Sequence, residues 1–153
     1  MYTPLHGAAR QHRWPGFLAL RTPVRKTVKH IGDCLLKMNY FVVGTNDMDA
    51  SVAFYDALFE HAGLTRLQPN DRMTYWLKDD FAFAAALPFD GEAATNGNGT
   101  MVGFSLGSAA EVTRLHEKAI GLGGTCEGEP AQRGPRFSAY VRDLDRNKLC
   151  FSD

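Results

Sequence analysis

Cys150 would need a base or a positive charge beside it to serve as a nucleophile, and Lys148 stands two residues away on the same strand face. The other thiols, Cys34 and Cys126, are widely spaced. An odd, sparse set of cysteines argues against a disulfide framework. The absence of a CxxC pair or a Cys/His cluster argues against zinc. His116 sits mid-helix at the edge of an apolar stripe and reads as a packing or surface histidine, not a base. His61 ends a helix, where the dipole favours a cation. His6, His12 and His30 fall in a basic N-terminal stretch. Trp76, Phe83 and Tyr140 lie on strands, as lining of an aromatic cleft or as ordinary core. Arg136 and Arg133 read either as a partner for a ligand anion or, as loop arginines usually are, as solvated side chains. No Ser-His-Asp order, phosphate-binding glycine loop or basic-aromatic pattern is found.

The elements that must position these groups repeat. Tyr40–Gly44 reads as a buried strand, and Asp47 caps a helix whose apolar stripe is Met48, Val52, Tyr55, Leu58, Phe59 and Ala62. Gly63 sits where a left-handed residue closes such a helix. Leu64–Gln68, Met73–Lys78 and Phe81–Leu87 follow as strands, separated by turns at Pro69-Asn70-Asp71 and Asp79-Asp80. Pro88–Gly99 is a Gly- and Asn-rich connection. The pattern then returns. Thr100–Leu106 is a strand, and Ser108 with Glu111 forms a capping box for a helix carrying Val112, Leu115, Ala119 and Leu122. Thr125–Glu127, Phe137–Val141 and Lys148–Phe151 complete it. The class is α+β: two βαβββ modules forming a curved mixed sheet around a cleft.

Several motifs carry a resemblance. They are Gly44-Thr45-Asn46-Asp47 with Ala53-Phe54-Tyr55-Asp56-Ala57-Leu58, and Pro88-Phe89-Asp90-Gly91 through Gly97-Asn98-Gly99-Thr100. The ending Ala139-Tyr140-Val141-Arg142-Asp143, with Asp145 and Asn147-Lys148-Leu149, is equally telling. In this order and spacing the chain from Met38 to Phe151 resembles the glyoxalase / bleomycin-resistance / extradiol-dioxygenase superfamily, the vicinal oxygen chelate fold.

In metal-using members of that superfamily, a His precedes the strand-ending Asn by six residues. A second His follows the Gly-Asn-Gly-Thr-like run, and a Glu follows Asn-Lys-Leu. The matching positions here are Tyr40, Met101 and Cys150. A phenol, a thioether and a lone thiol do not make a site for the divalent ion that such chemistry uses. The three are read either as the floor of a ligand pocket or as core side chains filling a collapsed cleft. The final turn also departs: Asp143-Leu144-Asp145-Arg146-Asn147 has Arg146 where the family often has Gly, which makes a positive φ there costly.

The chain has 153 residues, enough for one domain with a real core, and a formal net charge of zero. No apolar run approaches the roughly 18–20 residues that span a bilayer. The charge is uneven: residues 1–37 hold seven Lys/Arg against Asp33 alone, and the remainder is correspondingly acidic. This segment reads as a basic extension, flexible or ordered against the body, or as a stretch upstream of a natural start at Met38. A transit peptide would be richer in Ser, and a nucleic-acid arm would cluster its charge more than Arg25-Lys26 and Lys29 do.

The sequence therefore predicts a cytoplasmic protein with reduced thiols that binds an unknown small molecule without metal or other cofactor. Its ligand-pocket candidates are Tyr40, Met101, Cys150, Trp76, Phe83, Tyr140 and Arg136. The resemblance implies a homodimer. No nucleic acid or membrane partner is expected. The alternatives are a lyase, isomerase or dioxygenase holding metal through non-family ligands, and a structural role with the basic segment docking a partner.

Overall fold

A strand, a helix and three antiparallel strands occur twice along the chain. The computed structural model describes residues 37–153, so the expectation of an N-terminal extension lies outside the described residues except for Lys37. The first module contains β1 (Tyr40–Gly44), α1 (Met48–Leu58), β2 (Thr65–Asn70), β3 (Met73–Lys78) and β4 (Phe81–Ala86). The second contains β5 (Val102–Ser105), α2 (Ala109–Gly121), β6 (Thr125–Arg133), β7 (Arg136–Arg142) and β8 (Lys148–Ser152). Each module makes its own four-stranded sheet, ordered β1-β4-β3-β2 and β5-β8-β7-β6, with one parallel pair in each, β1 on β4 and β5 on β8. None of the described helices is long and apolar enough to cross a membrane.

The caps form as the residue types require. The Asp47 carboxylate accepts from the Ala50 amide at 2.9 Å, and the Ser108 hydroxyl accepts from the Glu111 amide at 3.2 Å. Only half of the expected capping box is made, because the Glu111 carboxylate turns instead to Arg114 at 2.7 Å. Helix α1 ends at Leu58, earlier than its apolar stripe suggests. Phe59 to Gly63 continue as a tight turn, closed by the Ala62 amide on the Phe59 carbonyl and by Gly63 at φ 68°. Strand β2 runs on to Asn70, two residues past its expected end, so the turn begins at Asp71 and not at Pro69. The largest difference is β6, which extends to Arg133 and not to Glu127. Gly128 and Pro130 break its alternation, and its register shifts twice against β7.

The core lies on the helix-facing sides of both sheets. Phe54, Tyr55 and Phe59 pack on Trp76 and Phe83, and Phe104 carries the aromatic cluster into the second module at 5.4 Å from Phe59 and 5.6 Å from Phe83. Rings at these spacings add edge-to-face attraction to the burial of their area.

A polar seam joins the exit of β1 to the turn between β7 and β8. Asp145 accepts from the Thr45 hydroxyl at 2.6 Å and from the Asn46 amide at 2.9 Å, while the Asn147 side chain donates to the Gly44 carbonyl at 2.8 Å. Beneath it the Tyr55 hydroxyl donates to buried Asp143 at 2.6 Å, and Asp143 also accepts from the amides of Asp145 and Asn147. Arg146 does adopt a positive φ of 68°, so the turn survives the loss of glycine. The chain approaches itself closely here: a Cβ on Gly44 would lie 3.0 Å from that of Ala94.

Candidate functional site

Strand alternation divides the expected pocket residues between two faces. Phe41, Phe83 and Trp76 stand opposite one another across β1, β4 and β3 and point towards α1. Tyr40, Ala82 and Leu77 are the next row and point away from it. Tyr40 is 51% exposed and meets Tyr75 edge-on, at 6.4 Å between ring centroids.

The helix-facing residues border a cavity of about 780 Å³ between the modules. Phe41, Phe59, Trp76 and Phe83 wall it from the first module, and Met101, Phe104 and Leu115 from the second. Lys78, Asp79, Glu111 and Arg114 bring charge to its lining. This volume suits a small organic molecule, and the wall is aromatic and apolar with a few polar groups. Met101 is 45% exposed where the chain enters β5.

On the second sheet, Gly103, Cys150, Tyr140 and Gly128 form one row on the face turned away from α2. The Arg133 guanidinium lies 5.0 Å from the Tyr140 ring centroid and the Lys148 ammonium 5.1 Å, both at cation–π distance. A Cβ on Gly128 would come within 2.7 Å of the Tyr140 ring, so glycine allows this packing. Glu127 partly neutralises the patch, accepting from Arg142 at 2.7 Å and from Lys148 at 3.2 Å. Burial pushes the Cys150 thiol pKa up, and the opposing influences of Tyr140, Arg133 and Lys148 do not restore it. Lys148 does share this face, yet the environment keeps the sulfur protonated at neutral pH.

The structure thus brings Met101, Trp76 and Phe83 to one cavity and Cys150 and Tyr140 to one open face. Tyr40 stands on the open face of the other sheet. Arg136, at the end of β7, donates to the Asp153 carbonyl, and Arg133 is the arginine beside Tyr140. Neither described cavity is lined by Tyr40, Met101 and Cys150 together.

A crystal structure of a glyoxalase/bleomycin resistance protein from Albidiferax ferrireducens T118 is similar to this chain at 34% sequence identity and a TM-score of 0.70, over 75% of this chain and 96% of that one. The chain belongs to the glyoxalase/bleomycin resistance protein family. A glyoxalase-related enzyme from Fulvimarina pelagi is 23% identical, with a TM-score of 0.64 over 77% of this chain and 88% of its own. Lactoylglutathione lyase from Agrobacterium tumefaciens is 19% identical, with a TM-score of 0.58 over 79% and 95% respectively. These two share the fold. No family model matches the chain, and no curated protein matches it.

Within this glyoxalase/bleomycin resistance fold, the family's metal positions do not fit a divalent ion. Tyr40 offers a phenol, Met101 a thioether, and Cys150 a thiol beside the Tyr140 phenol, Arg133 and Lys148, so no imidazole or carboxylate stands at the three positions themselves. Arg133 was signalled in the sequence only as one of two loop arginines. The irregular β6 that carries it had no alternation to reveal it.

Proposed function

We propose that this protein binds a small apolar or aromatic molecule, without a metal, in the cavity between its modules. The observation that carries this reading is the 780 Å³ space walled by Phe41, Phe59, Trp76, Phe83 and Phe104, with Met101 at a position where metal-using relatives place a ligand. Such a wall offers dispersion and ring contacts to an aromatic ligand. The exposed Met38, Tyr40, Leu67 and Met101 give a second copy of the chain apolar surface to cover, and we assign a homodimer on that ground. Residues 1–37 are assigned as an extension that adds little to this core, so a chain beginning at Met38 should keep its thermal transition.

Trp76 reports on the cavity once Trp14 is replaced by Phe. Titration with anilinonaphthalene sulfonate, an aromatic probe, should quench Trp76 saturably. Met101→Asp should weaken the anionic probe about tenfold by setting a like charge into the apolar wall. No saturable quenching would overturn the binding reading. Bound metal in the purified protein that disappears on Cys150→Ser replacement would overturn its metal-free part and favour a metal-dependent enzyme. Elution at the mass of one chain would remove the dimer alone.

A further inference from the structure

On the opposite side of the second sheet from Cys150, three side chains far apart in sequence meet between α2 and β6. His116 is 4% exposed on the inner face of α2, and its Nε2 is buried with no hydrogen-bond partner among the described residues. A ring nitrogen removed from water and left unpaired loses the full value of the bonds it could make, so a partner is expected there. The Cys126 sulfur and the Glu129 carboxylate lie beside the imidazole. Their ligating atoms and that of His116 all lie within 4.8 Å of one another.

The irregularity of β6 creates this cluster. Cys126 and Glu129 are three residues apart, so a regular strand would send them to opposite faces. The register shifts on either side of Gly128 turn Glu129 back, and the Cys126 thiol reaches its carboxylate at 3.2 Å. Gly128 is also the residue whose missing Cβ admits Tyr140 on the other face.

We infer that His116, Cys126 and Glu129 form a site for a borderline-soft divalent cation, best matched by zinc, distinct from the family's metal positions. An imidazole, a thiolate and a carboxylate are a nitrogen, sulfur and oxygen donor set that zinc accepts, and three protein ligands leave one position of a tetrahedron for water. Binding releases the thiol proton to solvent, since the thiolate is the ligand. The buried histidine anchors the ion, and the exposed Cys126 and Glu129 give it a path in from the surface.

Cobalt(II) reads the site directly, because thiolate ligation gives a charge-transfer band and tetrahedral geometry gives intense ligand-field bands. The whole chain carrying Cys34→Ser and Cys150→Ser should bind one cobalt with both signatures, and zinc should displace it. Adding Cys126→Ser should abolish the charge-transfer band. Glu129→Gln should weaken cobalt at least tenfold, and both replaced side chains are exposed, so folding should be retained. His116→Gln should weaken it at least as much, with circular dichroism confirming that the chain stays folded. No charge-transfer band in the double variant, or one that survives Cys126→Ser, would overturn the site. A band present in the wild type and lost with Cys150→Ser alone would also overturn it, and would move the metal to the other face.

Discussion

Arg146 carries a conformation that its side chain does not favour. At φ 68° a residue with a Cβ is disfavoured by roughly 1 kcal/mol relative to glycine. Arg146→Gly should therefore raise the melting temperature, with a gain of about 1 kcal/mol in denaturant unfolding. The bonds made there use the Arg146 carbonyl, on which Asn96 and Arg142 converge, and glycine keeps it. Tyr55 presents the reverse case, a strained charge and not a strained backbone. Burial and the neighbouring Asp143 hold its phenol pKa well above the usual tyrosine value, while burial also pushes the Asp143 carboxyl up. A raised folded pKa means that Tyr55 supports the fold at pH below the unfolded tyrosine value, near 10. The support is lost as pH rises through the folded value. Tyr55→Phe should cost about 1.5–3 kcal/mol at neutral pH, the worth of a bond to a charged group. It should also flatten the alkaline fall in stability measured between pH 9 and 11.

Among the elements, β6 decides the most and announced itself the least. The two caps, the left-handed Gly63 and the whole of β3 were legible because each rests on local chemistry: a side-chain acceptor, a missing Cβ, a strict alternation. Strand β6 lacked that signal, since Gly128 and Pro130 interrupt it, and its pairing comes from β7. For the same reason the meeting of His116, Cys126 and Glu129 was hidden, and three scattered cysteines read as reduced thiols with no disulfide or zinc role. Trp76 and Phe83 were legible as cleft or core, and the structure makes them both, buried yet bordering the cavity. Gly128→Ala should be the most informative change in this strand. The added methyl meets the Tyr140 ring at 2.7 Å, so a loss of about 1–3 kcal/mol is expected, with chemical-shift changes at Cys126 and Cys150 on opposite faces.

At the scale of the molecule, what holds the modules together is the aromatic bridge through Phe104 and the polar seam above it. The seam motifs were visible in the sequence as family markers, but their partners lie about a hundred residues away and no local pattern shows the contact. Asp145→Ala removes the acceptor for the Thr45 hydroxyl and for two Asn46 donors. It should cost about 1.5–3 kcal/mol. Amide exchange should quicken selectively at residues 44–47 and 143–147, and the strands of each sheet should keep their protection.

The seam is also polarised. From the first repeat come Thr45, Asn46 and Tyr55, whose side chains offer their protons; from the second come the carboxylates of Asp143 and Asp145, which receive them, while Asn147 returns a bond to the Gly44 carbonyl. At the equivalent approach to its helix the second repeat has Leu106-Gly107-Ser108, and the first repeat's matching hairpin has only Asp79-Asp80. Two copies of the second half would therefore meet socket against socket, because Leu106 and Gly107 have no side-chain donor to offer the acidic turn. The halves keep the same architecture yet have ceased to be interchangeable parts, and each has become the complement that the other cannot supply to itself.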